Sequence, residues 1–346
     1  MAHFVALFRP TPDPDADALT TLYAPKSGSV NVGLWGHYDE ASKSEATVKI
    51  TKGPGKVKVL SRLAKKMLRV NVSGITDASV LQGFLGNNPI TDPLPVNKVD
   101  GANLAAENEA LLRSGDSHEV AQLGGKTVEL IPLKKGLGNF GHYPYMARVN
   151  GLAVHFTAGN GTLRATANTF ESRETSTHFV IDRAGNIGQM VAASISARAQ
   201  GPGNSNFLSV EMAARQDAKN MGRTQAMTTQ QLETLKLLWA WVRKEFPRVE
   251  NSMATPFVGK KGSDIIGFGL DKYYNELAKY FVTKGYAKTT ADSINGCINS
   301  VGLSCHWWLD HRLKSCPGGP IMAQMPQVLG YAAEGDLPGA DKFLMA

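Results

Sequence analysis

This chain has few of the residues that would tie it together covalently. Its 346 residues include three cysteines, Cys297, Cys305 and Cys316, too few for a disulfide framework at this length. A Cys297–Cys305 bridge stays open, because spacing alone cannot bring two Cα atoms within bonding range. No apolar run approaches the roughly 20 residues of a membrane span, so no span is expected. A secretory signal is also lacking: positions 1–17 carry Arg9, three prolines and three acids around one short apolar patch. On that reading the chain is made in the cytoplasm, and work beyond it depends on release or on a delivery apparatus. Neither repeats nor low-complexity tracts are visible.

What is present is an ordinary globular composition with 42% hydrophobic residues, ample for a core. The length suggests two domains of about 150 residues each. Residues 1–135 are rich in Val, Thr, Gly and Pro, with alternating runs at 46–50 and 56–60 and a helix expected at 102–113. This predicts a small α+β or mostly β domain. A Gly-rich stretch that breaks both periodicities places a linker at 136–146. In 147–346 strands are expected at 152–157 and 207–212, a helix at 162–173, and a hairpin of 178–182 with 187–191. A helix over 228–246 is marked by the Thr228/Gln231 capping box and by Leu232, Leu235, Leu238, Trp239, Val242 and Phe246 on one 3.6-residue face. Further helices are expected at 271–285 and 289–300.

The net charge is +7. Its densest source is 49–69, where Lys49, Lys52, Lys56, Lys58, Arg62, Lys65, Lys66 and Arg69 occur without an acid. Such a face either grips an anionic polymer or is simply solvated. Nucleic acid is not expected as the partner, since no aromatics interleave to stack bases.

Chemistry concentrates at two places. His155 lies in Leu152-Ala153-Val154-His155-Phe156-Thr157, and His306 opens a loop-like run that closes on Cys316-Pro317-Gly318. Two imidazoles and a thiol are three ligands of the type Zn²⁺ takes, leaving a fourth tetrahedral position for water, as in catalytic sites. His311, five residues before Cys316, competes with His306. Glu211 ends an apolar run, where a carboxylate is costly unless paired or functional.

Four segments, in order, resemble the zinc-dependent N-acetylmuramoyl-L-alanine amidases of the phage-lysozyme and peptidoglycan-recognition superfamily. They are Ala153-Val154-His155-Phe156-Thr157-Ala158-Gly159, the hairpin from Ser176 to Gln189, Asn204-Ser205-Asn206-Phe207-Leu208-Ser209-Val210-Glu211, and His306 through Gly318. The resemblance implies an α/β fold with a central mixed β-sheet flanked by helices over 147–346, interrupted by an insertion at about 248–300. It implies Zn²⁺ held by His155, His306 and Cys316, with Glu211 and Lys314 catalytic and Thr157 binding substrate; His178 either contacts substrate or supports the site from behind, and Asn204 either holds a substrate carbonyl or caps a turn. Lys314 and Cys316 follow His306 by eight and ten positions, as lysine and aspartate do in the recycling amidases, while the thiolate is that of the phage enzymes. Thr177 stands where the phage branch has a catalytic tyrosine, which leaves proton transfer to Glu211. The Trp-His pair of many members is absent from 194–203.

The expected activity is cleavage of the bond between N-acetylmuramic acid and L-alanine in peptidoglycan, by a phage lysin or a delivered antibacterial enzyme. The N-terminal domain would bind an anionic cell-wall polymer or a delivery apparatus. The alternatives are a cytosolic amidase for recycled anhydromuropeptides and a non-catalytic recognition module.

Overall fold

The computed structural model describes residues 5–8, 21–35, 46–63, 67–114, 120, 122–138, 144–217, 223–254, 270–287, 300–309 and 316–333. The chain divides into two units, one of residues 1–104 with 138–145, the other of 105–137 with 146–346.

The N-terminal unit is built from short strands. They are β1 (Val5–Phe8), β2 (Leu22–Pro25), β3 (Ser29–Trp35), β4 (Ala46–Lys52), β5 (Lys56–Leu63), β6 (Met67–Ser73), β7 (Val80–Leu85), β8 (Asn88–Pro89) and β9 (Leu94–Val99). One sheet runs β1-β3-β6-β5 and the other β2-β9-β7-β4. Alternation decides which face is inward. Leu68, Val70 and Val72 are buried while Arg69 and Asn71 between them are not, the period of a strand with one wet face. Val30, Val32 and Leu34 join them in one core with Leu22, Leu81, Leu94 and Val96 of the other sheet. The mostly β expectation therefore describes this unit.

The second unit begins within α1 (Gly101–Ser114), followed by β10 (Gln122–Leu123), β11 (Lys126–Leu130), β12 (Gly151–Ala158), α2 (Leu163–Arg173), β13 (Phe179–Ile181), β14 (Ile187–Gln189) and β15 (Phe207–Arg215). Then come α3 (Thr229–Glu245), α4 (Leu270–Thr283), β16 (Gly302–Cys305), a single helical turn α5 (His306–Leu309), and α6 (Gly319–Val328). Seven strands form one sheet in the order β10-β11-β14-β13-β15-β12-β16. It is mixed: β14 runs antiparallel to β13, whereas β13, β15, β12 and β16 are mutually parallel. The expected boundary at 136–146 differs from this division. β11 pairs in parallel with β14, Val128 opposite Ile187, and buried Asn108 donates to Met190 O at 3.1 Å and accepts from Ala192 N at 2.8 Å. Those long-range bonds draw 105–137 into the second unit.

The sheet has two chemically distinct faces. Leu152, Val154, Phe156, Leu208, Val210, Met212, Leu303 and Cys305 pack into the large core with Leu235, Leu238 and Trp239 of α3. Alternation sends Ala153 and His155, Ser209 and Glu211, and Ser304 to the other face. Register aligns them, with Ala153 opposite both Ser209 and Ser304, and His155 opposite Glu211. One helix face of Leu and Trp thus buries one side of the sheet, at roughly 1.5–3 kcal/mol per large apolar side chain, and leaves the other for polar chemistry. The α3 start is the capping box read from sequence, with Gln231 N donating to Thr228 Oγ1 and Thr228 N to Gln231 Oε1, both at 3.1 Å.

Two glycines let β16 dock. A Cβ on Gly151 would lie 1.8 Å from Gly302 O, and one on Gly302, whose φ is +135°, would lie 2.2 Å from Ser252 O. Real Cβ atoms do not tolerate such approach. The close pairing brings the residue after β16 up against the middle of β12.

Candidate metal centre

His155 lies in the central part of β12 and His306 opens α5, one residue past the pair formed by Val154 and Cys305. That places the two imidazoles side by side, with ring centroids 4.6 Å apart and planes tilted by 51°. Cys316 arrives from the segment leading into α6. Phe156 N donates to its Sγ at 3.3 Å, and Trp307 N donates to its backbone O at 3.1 Å. The ligating atoms of His155, His306 and Cys316 all lie within 4.8 Å of one another, and all three residues are buried. Two imidazoles and one thiol form a donor set suited to Zn²⁺. A backbone donor aimed at sulfur suits a thiolate ligand.

The second cysteine of the region is set apart by its face. Cys305 points into the core, is a free thiol, and is pushed up to about 12 by burial. Its side chain packs in the core with Val154 and Leu303 and does not belong to the cluster. Cys297 lies outside the described residues.

Glu211, on β15, is the register partner of His155, and neighbouring strands run about 4.8 Å apart. Its carboxylate therefore projects from the same face as the first imidazole. Thr157 is half-buried two positions beyond His155; its hydroxyl donates to Gly159 O at 2.6 Å and accepts from Gly159 N at 3.3 Å. Lys314 and the rival ligand His311 lie outside the described residues, as does the helix expected at 289–300. The expected loop after His306 begins instead as the turn of α5.

Two of the expected site residues have partners within the protein. His178 is fully buried and committed to the protein. Its Nε2 meets Ile195 O at 2.9 Å and its Nδ1 accepts from Ser209 N at 3.0 Å. Asn204 is buried and closes a turn, its Oδ1 accepting from Ala199 N at 3.2 Å and Gln200 N at 2.7 Å. Thr177, at the tyrosine position of the phage branch, is buried, its Oγ1 3.0 Å from Ser209 Oγ.

Burial lowers the His178 pKa from 6.5 to about 4. A folded pKa below the unfolded value means the unfolded chain binds more protons between them, so stability rises with pH across that window. The contribution is fully present above about pH 6.5 and is lost as the pH falls toward about 4, an effect of roughly 3 kcal/mol. Denaturant unfolding of wild type and His178→Gln between these pH values should give a shallower pH slope for the variant. Equal slopes would contradict the neutral, buried imidazole.

Sequence reasoning missed Gln200. It is wholly buried, and its Oε1 lies 3.0 Å from His155 Nε2. A neutral amide in Ala199-Gln200-Gly201-Pro202-Gly203 carries no signal of its own.

A family model described as N-acetylmuramoyl-L-alanine amidase matches residues 145–269, which include His155 and Glu211 and stop short of His306. No curated protein matches the chain. Among solved structures it is similar to the N-acetylmuramoyl-L-alanine amidase LysC of Clostridium intestinale URNW, at 12% identity over 58% of this chain and 96% of the other, with TM-score 0.32. Drosophila peptidoglycan recognition protein SA is similar at 14% identity over 36% of this chain and 77% of the other, with TM-score 0.28. AmpDh3 of Pseudomonas aeruginosa, in complex with anhydromuramic pentapeptide, is similar at 20% identity over 43% of this chain and 64% of the other, with TM-score 0.27.

Proposed function

We propose that this chain, whose residues 145–269 match the N-acetylmuramoyl-L-alanine amidase family model, cleaves the muramoyl–L-alanine amide of intact peptidoglycan with Zn²⁺ as its cofactor. The observation that carries the zinc reading is the buried cluster of His155, His306 and Cys316, donors separated by up to 161 positions in sequence. Bound there, Zn²⁺ supplies polarisation of the scissile carbonyl and lowers the pKa of water to about 7. Glu211 takes the proton of the attacking water and returns it to the leaving amine of L-alanine. By resemblance Lys314, which lies outside the described residues, would serve the oxyanion, where a fixed positive charge contributes most in a dry site. Thr157 is retained as the substrate contact beside the metal.

The enzyme acts outside the cytoplasm, as a phage lysin or a delivered antibacterial amidase. The added N-terminal β unit supports this reading over that of a cytosolic recycling enzyme. A non-catalytic recognition module would have no need of Glu211 beside a full donor set. The test is digestion of intact sacculi by the metal-loaded protein, followed by mass spectrometry. Stem peptides released with a free N-terminal L-alanine are expected; release only from small soluble anhydromuropeptides would favour recycling, and no release from either would reject the enzyme.

The N-terminal unit, on this proposal, holds the enzyme to anionic wall polymer. Lys49 and Lys52 on β4 and Lys56, Lys58 and Arg62 on β5 are exposed. Screening over about 10 Å at 0.1 M salt makes binding of the full chain to sacculi fall with added salt. K52E/K56E/K58E should bind weakly at every ionic strength, with cleavage of small soluble substrates unchanged. Salt-independent binding would leave a delivery apparatus as the partner.

A further inference from the structure

His155 can present either ring nitrogen to a metal, and its neighbour decides which. The Gln200 amide nitrogen donates to two backbone oxygens, Phe207 O at 2.7 Å and Gly203 O at 3.2 Å. Carbonyl oxygens only accept, so the amide nitrogen must face them. The other end of the amide, Oε1, is thereby turned to His155 Nε2 at 3.0 Å. Oε1 also only accepts, so Nε2 must carry the hydrogen and Nδ1 keeps its lone pair. The backbone of Gln200 is fixed in turn by Asn204, whose Oδ1 receives the Gln200 amide hydrogen at 2.7 Å. The chain of dependence runs from Asn204 to Gln200 to His155, with all three residues buried.

We infer that Gln200 is a positioning residue that locks His155 in the Nε2–H tautomer, making Nδ1 its metal-binding atom. The inference rests on the metal-centre reading for its purpose, while the tautomer itself exists without metal. A ligand histidine held through its second nitrogen loses neither orientation nor tautomer when the metal leaves. Removing such a partner typically costs 10–100-fold in metal affinity. Asn204, a candidate substrate contact in the sequence, acquires a different task here: it sets the position of the residue that sets the ligand.

The experiment uses the full-length protein labelled with ¹⁵N-histidine, recorded metal-free well above the imidazole pKa of about 6.5, then titrated with Zn²⁺. His155 should show a protonated Nε2 and a bare Nδ1, and only Nδ1 should shift strongly with the metal. Gln200→Met removes the acceptor at similar length. It should mix or reverse the His155 tautomers and weaken Zn²⁺ binding by roughly 10–100-fold in chelator competition. Gln200→Glu, buried as the neutral acid whose O–H replaces the amide donor to Phe207 O, keeps an accepting oxygen toward Nε2 and should retain the tautomer, with affinity within a few-fold of wild type. His178 reports on folding in the same spectra, because Ile195 O holds its Nε2–H independently of Gln200.

A protonated Nδ1 on wild-type His155 would overturn the inference. So would an unchanged tautomer and affinity in Gln200→Met with the His178 signals intact. If Gln200→Met loses the His178 pattern, the wild-type and Gln200→Glu spectra still decide. Failure of wild type to bind Zn²⁺ while His155 shows the Nε2–H form would reject the metal centre and leave the tautomer lock standing.

Discussion

Glu211→Ala is expected to retain its metal and to lose roughly 10²-fold or more in kcat, the usual loss on removing a general base. The side chain stands beside His155 in the β12–β15 ladder without belonging to the cluster of His155, His306 and Cys316. Metal content and proton transfer should therefore separate cleanly. Glu211→Gln preserves shape and removes basicity, so it should fall as far as alanine. The comparison needs metal analysis of each purified variant beside its turnover of a soluble muramoyl peptide. A Glu211→Ala enzyme with near-normal kcat would move the base elsewhere. His178 is a poor heir, both its ring nitrogens being engaged by Ile195 O and Ser209 N.

Chelation should abolish activity, and Zn²⁺ should restore it. Cys316→Ser carries the larger risk to the centre, since it replaces the one soft ligand with a hydroxyl that binds Zn²⁺ poorly. The variant should be purified largely metal-free, with activity returning only as Zn²⁺ is raised far above what wild type requires. Cys305→Ser is the contrasting case, its thiol facing the core rather than the cluster, and it should hold metal like wild type. An active, freshly purified wild-type sample without bound metal would reject the mechanism whatever the variants do.

The elements that sequence revealed are those whose signal is local. The cap at Thr228, the stripe from Leu232 to Val242, the 182–186 turn and the apolar strands at 152 and 207 each carry their own periodicity or turn chemistry. The donor set was legible because thiol and imidazole chemistry is rare enough to stand out in a chain with so few cysteines. What sequence left hidden was settled by distant partners. The pairing of Val128 with Ile187, which moves 105–137 into the second unit, leaves no mark in either strand. His178 and Asn204 were chosen for their residue type, and burial gave both to the protein's own backbone. Gln200 was invisible for the same reason in reverse, since an amide gains its role only from what surrounds it.

The contact between Phe156 N and Cys316 Sγ joins positions 160 apart in sequence. A metal seated there would work as a removable cross-link, fastening the segment ahead of α6 to β12, the strand beside the edge strand β16. An ion that binds the folded chain alone adds RT ln(1 + [L]/Kd) to its stability, about 2.7 kcal/mol at one hundred times Kd. Tm should therefore climb with free Zn²⁺ in wild type and stay flat in Cys316→Ser at the same concentrations. In surroundings where zinc is scarce, the enzyme would become not merely idle but easier to unfold, and its lifetime would follow the metal supply.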